Sequence, residues 1–330
     1  MPHRLKILIE NETALGETFM IDRKRFGEAA ARHPDIAERI EPVFSLDREK
    51  FDATIGAAEV LIGWTLPFRD LPRRAGALRW LHLTGAGINH LLPLDWKPPA
   101  LTITNNRGVH APKAGEFAAM AILMLNSRIP ALVTHQHARR WQQEFTPVLR
   151  GKTVLIVGVG HMGAAAAEAL KPLGVRIIGV RRTAAPHPAV DRMVGPDALG
   201  QVLPEADFVL VAAPLTGKTK HLIGARELDR MKPGAGIVNF GRAGVIDYDV
   251  LRQRLAGGRI GGAILDVFDP EPLPADSPLW STPNLIITQH CSSDDIGQYV
   301  PRTLDLIFDN LRRLIENKPL RCVVDPQLEY

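Results

Sequence analysis

Cysteine is scarce: Cys291 and Cys322 are the only two in 330 residues. That is too few for a disulfide framework and points to a reducing, cytoplasmic setting. Long hydrophobic runs are missing as well, since no stretch approaches the ~18 apolar residues of a membrane span. The opening segment MPHRLKILIENE has a short apolar run followed by charges, which is not the pattern of a secretion signal. Strong charge imbalance is absent, the formal net charge being +4. The arginine pairs 73–74, 139–140, 181–182 and 312–313 are scattered rather than gathered on one element, so neither a nucleic-acid surface nor a membrane partner is expected. His82, His90, His110, His135, His137 and His221 make no metal constellation, and His135 and His137, two apart on a helix, would face different ways. No metal is expected. Short repeats and low-complexity tracts are also lacking.

What is present is ordinary globular composition, 45% hydrophobic and 23% charged, in a length suited to two domains at roughly 100–200 residues each. Short apolar runs alternate with longer amphipathic ones. LKILIE (5–10), VLIGW (60–64), LRWLHLTG (78–85) and LTITNN (101–106) read as buried strands, with a helix over 23–32 and a long helical stretch over 113–141 interrupted near Pro130. A second series of strands follows at 154–160, 175–180, 208–213, 236–240, 261–268 and 285–289, with helices such as 162–171, 225–231 and 248–256 between them. Strands alternating with helices imply βαβ units, and continuous apolar runs imply parallel strands covered on both faces. The last helix, 294–317, carries an apolar stripe at Ile296, Val300, Leu304, Ile307, Leu311 and Leu314, with Asp294 and Asp295 in its first turn and Arg312 and Arg313 in its last. It is free to return to the first unit.

Strand 154–157 leads into Gly158-Val159-Gly160-His161-Met162-Gly163, a G-x-G-x-x-G between a buried strand and an alanine-rich helix. That context is the one a dinucleotide-binding turn requires. Gly158 allows the tight turn, Gly160 admits the pyrophosphate close to the backbone, and Gly163 lets helix and strand pack. The helix N-terminus then offers free N–H groups to phosphate. The GKT triplets at 151–153 and 217–219 lack the P-loop's earlier glycine, Thr146 and Ala212 standing there instead. After the second strand of the unit an acid normally bonds the ribose hydroxyls, yet Arg181, Arg182 and Thr183 follow Val180, and the next acid is Asp191. A guanidinium fork pairs with a 2′-phosphate that an acid would repel. NADP(H) is therefore expected in preference to NAD(H); the alternative is that these arginines face solvent or stack on adenine.

Three further segments lie just beyond strand ends, where open α/β sheets place ligands: NFGRAGVIDYDVL (239–251), LDVFDPEPLP (265–274) and ITQHCSS (287–293). With the glycine turn, their order resembles that of the D-isomer-specific 2-hydroxyacid dehydrogenases, and the basic segment after the second strand together with the loop GAG-I-N resembles the glyoxylate/hydroxypyruvate reductase branch. The resemblance spans essentially the whole chain. It implies two Rossmann/flavodoxin-like parallel-sheet α/β domains, with the cofactor domain (106–288) inserted into a substrate domain made of 1–105 and 289–330. It implies that Arg242 binds substrate and that Glu271 and His290 form the acid/base pair. It further matches Gly85, Ala86, Gly87 and Ile88 to a substrate loop, Trp64 to a pocket wall, and Asp266 to the contact with the nicotinamide carboxamide. Ala213 and Pro214 match the loop over the cofactor, and Phe240 and Gly241 complete the cofactor set.

The chemistry agrees with those roles. Reduction of a 2-keto acid needs a hydride on the carbonyl carbon and a proton on its oxygen, which histidine can deliver near neutral pH. A carboxylate favours and orients the charged imidazole, and arginine can clamp carboxylate and carbonyl oxygens. Some readings remain double: Gly85–Ile88 as an ordinary turn, Trp64 as packing, Asp266 as a cap of the turn after its strand. His161 is read as structural within its turn. Cys291 is not read as a nucleophile, because alternation at a strand end would point it away from His290. Two positions depart from the family pattern: Ala243 stands where Gly usually follows the arginine, and Gln289 where Pro usually precedes the histidine. The expected activity is NADPH-dependent reduction of a small 2-keto acid to the D-2-hydroxy acid, by a homodimer with Trp141 near its interface or the pocket. The alternatives are an NAD-linked dehydrogenase of other side-chain preference and, in a different class, a dinucleotide-binding corepressor-like protein; against the latter, the acid–base pair is intact and the chain shows no long disordered tail.

Overall fold

The computed structural model describes residues 3–327. The chain divides into two compact units, the first formed by Met1–Val109 with Asp295–Tyr330, the second by His110–Asp294 inserted between them. The cuts expected at 105/106 and 288/289 fall four and six residues ahead of these.

The first unit is a five-stranded sheet of β1 (Leu5–Asn11), β2 (Ile40–Leu46), β3 (Val60–Gly63), β4 (Trp80–Leu83) and β5 (Thr102–Asn105), in the order β2-β1-β3-β4-β5. Every pairing is parallel, and the order is the flavodoxin-like one. The helices Arg23–Arg32 and Tyr299–Ile315 cover one face through Phe26, Ala29, Leu304, Ile307, Phe308 and Leu311. The last helix thus belongs to the first unit. It starts later than 294, however. Asp295 caps a turn ahead of it by accepting from the N–H groups of Gly297 and Gln298, and Ile296 is 82% exposed rather than part of the apolar stripe.

The second unit is a seven-stranded sheet of β6 (Thr153–Val157), β7 (Arg176–Val180), β8 (Arg192–Val194), β9 (Phe208–Val211), β10 (Gly236–Asn239), β11 (Gly262–Leu265) and β12 (Leu285–Ile287). Its order, β12-β11-β10-β9-β6-β7-β8, is again wholly parallel. The chain leaves β6 in one direction to β7 and β8 and later returns to build β9 to β12 on the other side, which puts the reversal of strand order beside the end of β6. Ligands of doubly wound sheets bind at such a point. The residues of β6, β9, β10 and β11 are all buried, because two apolar layers cover both faces.

The long helical stretch is two helices, Ala111–Asn126 and Ile129–His137. The break comes at Arg128, in the left-handed region at φ 57°, with Pro130 in the first turn of the second helix, where its missing N–H costs nothing. Beyond it, Trp141, Phe145 and Val148 are 95%, 86% and 77% exposed. Among the described residues no single helix is long and apolar enough to cross a membrane.

Candidate active site

The glycine turn is where the sequence places it. β6 ends at Val157 and the helix His161–Leu170 follows, capped by Gly160. Gly158 has φ 99°, and a Cβ there would lie 2.6 Å from the backbone nitrogen of Ala213; that backbone region is one only glycine adopts freely. Gly163 packs its Cα directly under the carbonyl of Gly158, and a Cβ at Gly160 would meet nothing within 4 Å. Two glycines therefore close the turn against protein, while the third leaves the helix N-terminus open. That fits a pyrophosphate. Val159 is buried and Met162 packs against the same apolar layer, so their side chains belong to the core and only their backbone is left to meet a ligand.

At the end of β7 the Arg181 N–H donates to Val194 (3.0 Å). Its side chain is half-buried and takes no acceptor among the described residues, while Arg182 and Thr183 are exposed. Asp191 cannot substitute for the missing acid. Its carboxylate accepts from the Ile177 N–H (2.8 Å) and pairs with Lys171, which holds it well below the usual carboxylate range and commits it to the opposite end of β7 from the turn. Ala213 is buried against Gly158 and Gly241, and Pro214 is exposed. Phe240 is 2% exposed and stands edge-on to Phe117, centroids 6.0 Å apart; its side chain is a core side chain, which leaves only its backbone as a cofactor contact.

Arg242, Glu271 and His290 come together in this unit, on the loops that follow β10, β11 and β12. His290 Nδ1 lies 2.6 Å from Glu271 Oε2, and Glu271 Oε1 accepts the Phe268 N–H at 2.7 Å. The His290 side chain is 47% exposed, so its other nitrogen is open to a reactant. Arg242 is half-buried and Nη1 donates to its neighbour Gly241 O (2.7 Å). Burial lowers its ionisation and the charge of Glu271 opposes that shift; the guanidinium stays a cation, as arginine does in proteins. The two departures from the family pattern are accommodated. Ala243 begins a short 3₁₀ turn, Ala243–Val245, where a Cβ is at ease, and Gln289 is exposed and makes no hydrogen bond among the described residues.

Asp266 turns out to hold the turn that carries the histidine. It is fully buried. Its Oδ1 accepts from Thr288 Oγ1 (2.6 Å) and the Cys291 N–H (3.1 Å), its Oδ2 from the Ser292 N–H (3.2 Å), and its main-chain oxygen from the His290 N–H (2.8 Å). These bonds keep His290 at φ 52°, a left-handed conformation unfavourable by roughly 1–2 kcal/mol for a residue with a Cβ. The alternation invoked for Cys291 does not apply, since β12 stops at Ile287. The thiol is exposed on this turn.

Sequence reasoning missed two polar residues here, Asn239 and Tyr248. Asn239, fully buried at the end of β10, accepts the Gly241 N–H (3.1 Å) and donates to Arg242 O (3.1 Å) and to the Tyr248 hydroxyl (2.9 Å). An asparagine ending a continuously apolar strand was the available signal.

In the first unit, Gly85–Ile88 follows β4. The carbonyl of Thr84 accepts from Asn106 Nδ2 (2.6 Å), that of Gly85 from the Asn106 N–H (3.0 Å), and that of Ala86 from Asn105 Nδ2 (2.7 Å). No acceptor among the described residues takes the N–H groups of Gly85, Ala86, Gly87 or Ile88. Trp64 lies across Gly85 so closely that a Cβ would enter its ring, and it meets the His90 ring at 4.3 Å. It is a wall to that loop as well as a packing residue. Among the described residues no group of His, Cys, Asp and Glu is arranged to hold a metal.

Residues 119–292 match the sequence profile of the family described as D-isomer specific 2-hydroxyacid dehydrogenase, NAD binding domain. A glyoxylate reductase of Thermofilum pendens is 32% identical over 259 residues, 76% of either chain. That of Korarchaeum cryptofilum is 34% identical over 220 residues, 63% of this chain and 64% of its own. The crystal structure of a D-isomer specific 2-hydroxyacid dehydrogenase from Xanthobacter autotrophicus, in complex with NADPH and MES, superposes with a TM-score of 0.84 at 27% identity over 98% of this chain and 99% of that one.

Proposed function

Given that this chain is an NAD(P)-dependent oxidoreductase belonging to the D-isomer specific 2-hydroxyacid dehydrogenase family, we propose that it reduces a small 2-keto acid, of the glyoxylate or hydroxypyruvate kind, to the D-2-hydroxy acid with NADPH. The observation that carries this reading is the 2.6 Å contact between Glu271 and an accessible His290, with Arg242 near enough for its charge to be felt by the same carboxylate.

Arg242 binds the substrate carboxylate and the carbonyl oxygen, and stabilises the negative charge that grows on that oxygen. Protonated His290 donates from Nε2 to the same oxygen, while Glu271 accepts from Nδ1 and so fixes the ring. In the first unit, taken by itself, the N–H groups of Gly85–Ile88, which have no acceptor among the described residues, suit a carboxylate. The nicotinamide dinucleotide, when bound, supplies the hydride; its pyrophosphate would rest on residues 158–163, and its 2′-phosphate on Arg181, assisted by Arg182 and Thr183. NADPH is favoured over NADH because no acid stands at the end of β7 and Asp191 is engaged elsewhere. The NADPH held by the Xanthobacter relative agrees with that preference.

The test compares kcat/KM for glyoxylate-dependent oxidation of NADPH and NADH. Loss of one charge-assisted pair amounts to roughly 1.5–3 kcal/mol, so Arg181→Asp should weaken use of NADPH by about 10–100-fold and spare NADH. Equal use of both cofactors by the unaltered protein would remove the assignment of Arg181. Arg242→Ala and His290→Ala should each lower turnover by on the order of 10²-fold or more, and unchanged turnover in either would sink the mechanism.

A further inference from the structure

The helix Tyr248–Ala256 begins with a tyrosine that turns back beneath the loops of the site. Its hydroxyl donates to the main-chain oxygen of Val267 at 2.8 Å and accepts from Asn239 Nδ2 at 2.9 Å. Its ring stands edge-on to Phe268, centroids 6.2 Å apart. Val267 C=O and Phe268 N–H belong to one peptide group, and the N–H side of that group donates to Glu271 Oε1 at 2.7 Å. Asn239, on the other side of the hydroxyl, fixes the backbone at Gly241 and Arg242. A continuous series of hydrogen bonds therefore runs from the main chain of Arg242 through Asn239, the Tyr248 hydroxyl and the 267–268 peptide to Glu271, and from Glu271 to His290.

We infer that Tyr248 is a positioning residue for proton transfer: by anchoring the 267–268 peptide it holds the Glu271 carboxylate against His290 Nδ1 and keeps the Arg242 loop in register with it. Burial raises the phenol far above the ordinary tyrosine range, and the charges of Asp266 and Glu271 add to that effect. The hydroxyl is thus a permanent donor, and it does not itself exchange a proton with a reactant. Chains of hydrogen bonds strengthen their members, so loss of the hydroxyl weakens the Phe268 N–H hold on Glu271 as well as freeing the turn. Arg242 is coupled to Glu271 and the buried Asp266 to Tyr248; neither changes charge in the substitution below.

The inference rests on the reading of Glu271 and His290 as the proton-transfer pair, and its test separates the two. Tyr248→Phe keeps the ring and removes only the hydroxyl. Expected are a fall in kcat on the order of tenfold and a change of less than about twofold in KM for the keto acid. In the ligand-free protein, the downfield NMR resonance of the His290 Nδ1 proton, assigned by its loss in His290→Gln, should broaden or vanish in Tyr248→Phe. An unchanged resonance together with unchanged kcat overturns the positioning role and leaves the reductase reading intact. A resonance lost in Tyr248→Phe, in a protein that turns over no 2-keto acid, supports the positioning role and overturns the reductase reading. Should Tyr248→Phe not fold, amide exchange of the unaltered protein decides: a protected Phe268 N–H supports the anchor, and exchange as fast as that of Asp269 overturns it.

Discussion

Replacing Asp266 by asparagine separates two roles for the same residue. The carboxylate accepts three hydrogen bonds in a site closed to solvent. An amide keeps one oxygen and turns the other acceptor into a donor. With the amide oxygen toward Thr288 and Cys291, its NH₂ group faces the Ser292 N–H, and two buried donors lose their acceptor. A buried donor without a partner costs about 1–3 kcal/mol, so a loss of about 2–6 kcal/mol is expected for the two. That is a large part of a domain's typical 5–15 kcal/mol, yet the protein should fold. For a domain of this size it corresponds to a melting point roughly 4–24 °C lower. The turn that keeps His290 at φ 52° loosens with it, so kcat should fall. The assay pairs a thermal melt with an NADPH titration followed by nucleotide fluorescence. An anchoring carboxylate predicts a lower melting point, lower kcat and nearly unchanged NADPH affinity. A protein that melts like the parent but binds NADPH poorly would refute the anchoring role and support the nicotinamide contact that the family resemblance implies.

Acid should destabilise the first unit through His82, which is fully buried between Thr104 Oγ1 (2.8 Å) and Asn106 Oδ1 (3.1 Å) and which burial lowers from 6.5 to about 4. The unfolded chain takes up the proton first, so stability is intact above pH 6.5, falls as pH drops through 6.5 to 4, and ends roughly 3 kcal/mol lower; melts of the parent and His82→Gln across that range should converge on acidification, and parallel curves would exclude His82. We also propose a homodimer that uses Trp141, Phe145 and Val148, three large apolar side chains exposed within one eight-residue segment, where burial against a second copy would remove them from water. Light scattering should give a dimer mass that Trp141→Glu lowers, and a monomeric parent would end that proposal.

The central strands were legible in the sequence because burial on both faces makes each of them a continuous apolar run. The edge strands β2 and β8 were not. Ile40–Leu46 contains Pro42 and Ser45, and pairs only with β1; Arg192–Val194 is three residues long with an exposed arginine. An edge strand need not carry the continuous apolar run that still marks the other two edges, β5 and β12, and it tolerates proline. The last helix was overextended because Ile296 falls in phase with the stripe, although the backbone there is a turn held by Asp295. Within the site, the glycine turn, Arg242, Glu271 and His290 were legible from motif order. Asn239 and Tyr248 were not, since what they do depends on which strand ends become neighbours, and sequence spacing does not encode that.

Burial sorts the polar residues at the strand ends by task. In the second unit Asn239 and Asp266 are wholly buried, and each spends its hydrogen bonds on the backbone of an adjoining loop. His290 and Glu271, whose side chains are 47% and 35% exposed, stand on the loops so shaped. The first unit repeats the division by itself: Asn105 and Asn106 are wholly buried and take the carbonyls of Thr84, Gly85 and Ala86, while the N–H groups of Gly85–Ile88 have no acceptor among the described residues. A buried amide can satisfy donors and acceptors at once, whereas a group that must exchange a proton or meet a substrate needs one face open. Of the buried kind, motif matching assigns only Asp266 to the site. On this division, substitutions at Asn105 and Asn239 should shift loop order and stability together with rate, while substitutions at His290 should alter rate and leave the melting point close to that of the parent. A fall in kcat for Asn239→Ala with no change in melting point would contradict that separation, since the buried amide would then be acting on the substrate itself.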